Sequence, residues 1–495
     1  DLHSFPTRRS SDLRLLSDND YVVQLKEDTN YYPDDVKNGN YKIIFNNNMK
    51  IIGNRGAYIG DSSSTPRECS FLPMQVKDNN GIGITLENIT FKWAATSYSP
   101  DGVFLQMGGN ANNLIKNCTF EECHVNGGHS CLVHIKKGVA ILDGCTFINC
   151  TSDYGCVSVY NPTTTNAAKM VVRDCYFENN YASTEPGCIN NCGILEVYNS
   201  TFYKNRAYWW AGAIHTHNFA NTTIYDSHFI DNVAGWNGGA LYTYSYLQIY
   251  NTTFVGNNCT TNNGGGAIGA CAYVSQPHIF ITDSLFENNA NNCWYLDSLS
   301  TSGTGRGGAI SIMDHGSMEV RDSIFIKNSA SIGTAICALC PGGEWGSPNV
   351  KIIGNQFINH TRVGDVLNVL LVNTVSEISD NYFLGNSIVF SNLTLSKLRE
   401  DKEFATLQVN VSLANPSYYD EDILNKTCYD VYINDKYVKT VNSTIFDVEF
   451  GDLDICDVYV IPTISNRKSN NITVYSIRDY IYVSKLIGND NNNGN

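Results

Sequence analysis

Charge is what this chain has least of. Of its 495 residues, 16% are Asp, Glu, Lys or Arg, against roughly a quarter in an ordinary soluble domain. The acidic residues outnumber the basic ones by 48 to 33, which leaves a net charge of −15. No run of Lys and Arg makes the basic stripe that neutralising phosphates requires, so nucleic acid is excluded as a partner. No apolar stretch is long enough to span a bilayer. No segment carries the three-to-four spacing of a helix, no phosphate loop is present, and no Ser-His-Asp or Cys-His set declares itself. Disorder is excluded from the other side: 42% of the residues are hydrophobic, with 30 Tyr and 21 Phe among them.

What the chain does have is a recurring Phe. The series is Phe91, Phe120, Phe147, Phe177, Phe202, Phe229, Phe254, Phe286, Phe325, Phe357 and Phe383, at intervals of 25 to 39 residues. A period of that size marks a solenoid whose repeats touch only their neighbours. Aliphatics stand seven and five places before the Phe, as in Leu195 and Val197 or Leu247 and Ile249, with mostly polar residues between. That alternation is a strand with one buried face. One repeat is too small to bury a core alone, so the Phe and aliphatic columns are expected to stack into one interior. The Asn three places after the Phe (Asn180, Asn205, Asn232, Asn257, Asn289, Asn328, Asn386) is expected to form a buried ladder from coil to coil.

The turn Gly-Gly-Ala-Ile, as at Gly307 to Ile310, together with Phe-x-x-Asn resembles the repeat of chlamydial polymorphic membrane proteins. The Asn-rich wording of Asn199-Ser200-Thr201-Phe202-Tyr203-Lys204-Asn205 is similar to adhesin-like surface proteins of methanogenic archaea. The resemblance covers roughly residues 80 to 390. It implies a right-handed parallel β-helix and an extracellular place at the cell surface or cell wall. It implies nothing specific about activity, since many functions share the scaffold.

The fold class read from the sequence is therefore all-β: a right-handed parallel β-helix over 14–398, then a small Ig-like β-sandwich over 402–480. Residues 481–495 read as the opening of a further block. Residues 1–13 resemble translated sequencing adapter and are set aside. On this reading the chain is a piece of a longer modular protein.

The chain has 17 cysteines. Cys118, Cys145 and Cys175 stand where other repeats carry Ser, and Cys123 and Cys150 where others carry Asn, so they read as small buried members of the same columns. Disulfides between adjacent coils are geometrically allowed. Of thirteen Asn-x-Ser/Thr sequons, several coincide with the turn column before the Phe, so the repeat grammar itself generates them.

Three functional readings follow, one of them a purely structural cell-envelope stalk. In the first, the chain is a non-catalytic, adhesin-like surface protein whose β-helix is a stiff stalk and a binding face for host or microbial surface glycans or proteins. The alternative is a polysaccharide lyase or glycoside hydrolase of the β-helix type, which needs carboxylates clustered on neighbouring coils. The best acidic column, Asp174, Asp226, Asp283, Asp322 and Asp380, interchanges with Asn88, Asn117, Asn199 and Asn251, which suits turn capping and not proton transfer. No catalytic residue and no metal ligand is assigned. No cofactor is expected, with Ca²⁺ between Asp283 and Asp322 the one candidate. The binding face is read from register. Aligning Ala213 with Ala240 sets Trp209 beside Trp236, His215 beside Tyr242 and His217 beside Tyr244, with Trp210 adjacent. Period-two alternation turns the His and Tyr residues outward, as a platform of flat rings at strand spacing. The insertion before Phe325, with Trp294, Tyr295 and Arg306, is a second candidate.

Overall fold

The computed structural model describes residues 21–31, 43–45, 48–60, 74–76, 82–96, 103–125, 130–160, 168–260, 264–291, 305–339, 348–360, 370–372, 377–386, 393–401, 406–413, 424–425, 427–449, 455–463 and 468–475. Its main part is a parallel β-helix. Each coil lays down four strand segments. One coil runs through Ile189–Asn191, Ile194–Tyr198, Thr201–Tyr203 and Arg206–Ala207, and the next through Ile214–Thr216, Asn221–Tyr225, His228–Ile230 and Val233–Ala234. Every segment pairs in parallel with its equivalent one coil on, as in Ile214 with Leu241, Phe202 with Phe229 and Ala207 with Ala234. The first two segments of each coil share one sheet, so three sheets wall the interior.

The Phe column runs unbroken down the second sheet. Consecutive rings from Phe91 to Phe383 stand 4.6 to 5.1 Å apart and within 17° of parallel. Because this is the spacing of paired strands, the backbone ladder sets it rather than any preference of the rings. Among the described residues that sheet has 13 strands, two more than the Phe marker counts. Tyr31 and Ile59 hold the Phe position in the first two coils, paired in register with each other and then with Phe91.

The corners explain the Asx-rich wording. Asn88, Asn117, Asp174, Asn199, Asp226, Asn251, Asp283, Asp322 and Asp380 all have φ between 41° and 57°, and Gly144 and Gly354 fill the same column. This is the left-handed region, which Asn, Asp and Gly enter most cheaply. The acidic column is thus a backbone requirement, as the interchange of Asp with Asn implies.

Inside the next corner the Asn ladder is complete. Asn205 Nδ2 donates to Asn232 Oδ1 at 3.0 Å and to the Phe177 carbonyl at 3.0 Å, and Asn205 Oδ1 accepts from the Asn180 backbone N–H at 3.0 Å. Asn232, Asn257 and Asn289 repeat the pattern. These amides are buried, so each bond satisfies turn backbone that water cannot reach. His360 takes the ladder place between Asn328 and Asn386. The Cys column behaves as read: the Cys175 N–H donates to Ser200 Oγ at 3.1 Å, as the Ser200 N–H does to Ser227 Oγ at 3.2 Å.

The last β-helix strand described is Tyr382–Leu384. The sandwich begins at Leu393, earlier than residue 402, and the helix does not run to 398: Leu393–Asp401 pairs antiparallel with Thr406–Leu413. That strand and Ile445–Glu449 complete one sheet; Lys436–Val441, Tyr429–Ile433, Ile455–Pro462 and Ile472–Tyr475 make the other. In chain order the sheets read first-second-fifth and fourth-third-sixth-seventh. The fourth strand thus lies beside the third, where the constant-type immunoglobulin domain places it beside the fifth. Residues 1–13 and 481–495 lie outside the described residues. Among the described residues no helix is long and apolar enough to cross a membrane.

Candidate functional site

The register expected around Ala213 is the one observed. His215 pairs with Tyr242, and the Trp236 N–H donates to the Trp209 carbonyl. Parity also holds: Ile214 and Leu241 face the interior of the solenoid. The outcome on the outer side differs from the expectation in two ways.

First, the outward residues are covered. His215 is 0% and Tyr242 3% exposed, and His217 and Tyr244 are half-buried. Trp210 folds over them, with its ring 5.7 Å from His215, 6.2 Å from Tyr242 and 6.3 Å from Tyr244. His215 in turn lies 5.3 Å from Tyr242 and 4.0 Å from His217, and Tyr244 reaches Tyr273 on the following coil at 5.9 Å. Gly269 sits beside Tyr242 in the next coil, where a Cβ would meet Tyr242 Cδ2 at 3.1 Å. The glycine leaves room for that ring.

Second, the two outer tryptophans do not lie flat. Trp209 and Trp236 are 4.7 Å apart at 74°, and Tyr208 meets Trp209 at 5.2 Å and 82°. Trp236 is 47% and Tyr208 59% exposed. Strand spacing fixes the distance between coils, but in these turn residues it leaves the ring planes free. The seven residues read as one face therefore split into an outer edge-to-face group (half-buried Trp209 and exposed Trp236, joined by exposed Tyr208) and a covered group (Trp210, His215, His217, Tyr242, Tyr244).

The covered group contains a carboxylate that the sequence reading missed. Glu185 lies in the turn before Ile189–Asn191. Since Ile189 pairs with Ile214, four residues back places Glu185 level with Trp210. Glu185 is buried, and its Oε2 approaches His215 Nδ1 to 2.5 Å. The approach lacks hydrogen-bond alignment: among the described residues His215 Nδ1, His215 Nε2 and His217 Nε2 are buried without a hydrogen-bond partner. Burial holds both imidazoles far below their ordinary range, at about 3, and at His217 the neighbouring Glu185 opposes this without overcoming it. Both rings are therefore neutral at pH 7, and the contact with Glu185 is not an ion pair. Burial raises Tyr244 to about 12, and Tyr242 further, so both phenols keep their protons. One donor atom from each of Glu185, His215 and His217 lies within 4.8 Å of the other two. A set of that composition can hold a metal ion, where the sequence reading assigned none.

No family model and no curated protein matches the chain. A solved structure described as a new PL6 alginate lyase complex with trisaccharide is similar to it, with TM-score 0.44 and 10% identity over 83% of this chain and 89% of that one. That likeness gives no residue here a role.

Elsewhere, outward charges pair across coils instead of converging. Lys92 meets Glu121 at 3.0 Å, Lys169 meets Glu196 at 2.7 Å and Arg173 meets Asp143 at 2.7 Å. Asp283 accepts from the Thr282 hydroxyl at 3.0 Å, and Asp322 holds its own left-handed corner. In the insertion before Phe325, Arg306 is 1% exposed, with Nη1 3.3 Å from Met313 Sδ, so it is packed rather than presented. Trp294 and Tyr295 lie outside the described residues.

Proposed function

We propose that the chain is a non-catalytic, adhesin-like surface protein that displays an aromatic binding face on a rigid β-helical rod. The observation that carries this reading is the outer group of Tyr208 and Trp236, both exposed, with half-buried Trp209 between them. Three large rings bridge two coils, their positions fixed by the ladder beneath. Trp and Tyr combine large apolar area with few rotatable bonds, so a rigid cluster of them binds at low entropic cost. Rings presented at an angle offer both a face and an edge, which suits the C–H-rich face of a pyranose as well as an apolar protein patch. The partners proposed are host or microbial surface glycans or proteins, and the place is extracellular, at the cell surface or wall. A strongly acidic chain with well-spread charge supports that place.

The polysaccharide-cleaving alternative draws on one observation, the carboxylate, imidazoles and phenols gathered around His215. Against it, a polymer must reach the group that moves the proton, and His215 and Tyr242 are covered.

The test is a glycan array probed with the wild-type chain and with a W209A/W236A double variant. Both rings lie outside the solenoid core, so the variant should keep the wild-type circular dichroism. The reading expects at least a ten-fold loss of signal on whichever glycans bind, about 1.4 kcal/mol or more. Undiminished binding by the variant would remove this face from the account.

A further inference from the structure

We propose that Glu185, His215 and His217 form a site for a divalent first-row transition metal, zinc foremost, which clamps two adjacent coils of the β-helix. The proposal is independent of what the exposed aromatic group binds.

Three observations carry it. The first is placement. His215 and His217 are two residues apart along one chain segment, so they project to the same side, and their rings lie 4.0 Å apart. Glu185 comes from the preceding coil and is set against them by the pairing of Ile189 with Ile214. The three donor atoms converge within 4.8 Å. Ligands held at about 2.0–2.1 Å from zinc in a tetrahedron stand roughly 3.3 Å apart, so the group needs only small movements to close on an ion.

The second is what the imidazoles lack. A buried imidazole that serves only packing normally has its N–H and its lone pair satisfied. Both ring nitrogens of His215, and Nε2 of His217, are buried with no hydrogen-bond partner among the described residues. Glu185 Oε2 comes within 2.5 Å of His215 Nδ1 without hydrogen-bond alignment. Two donor atoms brought together but not aimed at each other is the arrangement expected of ligands aimed at a shared third atom.

The third is donor chemistry. Two neutral imidazoles and one carboxylate suit zinc and its first-row neighbours. They do not suit Ca²⁺, which takes six to eight oxygens. Three protein ligands leave a fourth position for water or a small ligand on the side bordered by Trp210 and Tyr244, both half-buried. Metal binding here would tie the turn after Tyr181–Ala182 to the strand Ile214–Thr216, a cross-coil link in addition to the backbone ladder.

The test uses the full chain, stripped with a chelator and titrated with Zn²⁺ and separately with Co²⁺. The expected result is one equivalent of zinc by calorimetry. Co²⁺ should give tetrahedral ligand-field bands without the thiolate charge-transfer band that the cysteines would produce. E185Q and H217A should each weaken zinc binding at least about ten-fold, and the rise in melting temperature that zinc causes in the wild-type chain should be smaller in both at the same zinc concentration. H217A is preferred to H215A because His217 is half-buried and its loss disturbs packing less. A second measurement needs no variant: the imidazole nitrogen NMR signals of His215 and His217 should shift when zinc is added. Absence of stoichiometric binding, a thiolate band as the main feature, unchanged binding in both variants, or unmoved imidazole signals would each overturn the site.

Discussion

At the scale of single residues, the β-helix repeats a few positions under strict demands. A Phe in the column packs between two parallel rings in a fully buried place. Phe229→Ala should therefore cost about 3–5 kcal/mol, read as a lower midpoint in chemical denaturation. The left-handed position after the Phe strand is less well served. Lys204 stands there with φ 55°, where an ordinary L-residue is strained. Lys204→Asn should raise stability by roughly 0.5–1 kcal/mol, since Asn179 already donates to Asn149 in this column at 2.7 Å. An unchanged or lower midpoint would contradict the backbone account of these corners.

Two buried histidines, His215 and His360, and half-buried His217 make a pH prediction. In the unfolded chain His titrates near 6.5. In the folded, metal-free chain burial holds His215 and His217 at about 3 and His360 at about 4. Between these limits the unfolded chain binds protons that the folded chain does not, so stability is full above about pH 6.5 and falls as the pH drops toward 4. Each histidine adds a slope of up to about 1.4 kcal/mol per pH unit. His360→Asn should remove one such contribution while restoring the ladder between Asn328 and Asn386. Denaturation midpoints from pH 7 to pH 4 would test this, and an equal slope in the variant would refute it.

At the scale of elements, legibility in the sequence followed repetition. The Phe column, the Asn ladder and the left-handed Asx corners recur many times, so one physical demand wrote the same residue type repeatedly and the reading was secure. The first two coils blurred because Tyr31 and Ile59 stand at the register position that Phe marks in later coils. The aromatic face was legible in register and in parity but not in burial. Covering His215 depends on Trp210 and Glu185, which occupy one turn column that reads Glu, Trp, Asn in successive coils (Glu185, Trp210, Asn237). A column that changes its residue type each time gives no periodic signal. Only counting back from Ile189 and Ile214 could have set Glu185 over the histidines. The first sandwich strand was missed because Leu393–Asp401 alternates like the helix strands before it.

The Cys column offers a test at this scale. Cys145 and Cys175 stand where later coils use Ser200 and Ser227, and the hydrogen-bond pattern continues across the change of residue. C175S should therefore stay within about 1 kcal/mol of wild type, since a Ser hydroxyl can accept the Cys145 N–H just as Ser200 accepts that of Cys175. A large loss would mean that the sulfurs do more than fill the column.

For the whole molecule, the strands of each coil pair only with those of the coils beside it, so coils are close to exchangeable units, although Asn218 Oδ1 also accepts from the Val274 and Ser275 N–H groups two coils on. Removing residues 213–239 joins Gly212 to Ala240 and deletes one full coil in register. The shortened chain should fold, and small-angle scattering should find the rod shorter by roughly 4.8 Å. A rod of this kind holds side chains at fixed spacing over a long surface, which serves display well. On the function proposed above, Tyr208, Trp209 and Trp236 would carry the display, with the His-Tyr-Glu group covered beneath. The central claim is that the surface binds without turning over. The most direct measurement is release of new chain ends from whichever polysaccharide the wild-type chain binds, followed over hours with and without added Zn²⁺ or Ca²⁺. Binding with no new ends under any of these conditions is the predicted result. Sustained release that is lost in E185Q would contradict the claim and make the covered cluster an active site.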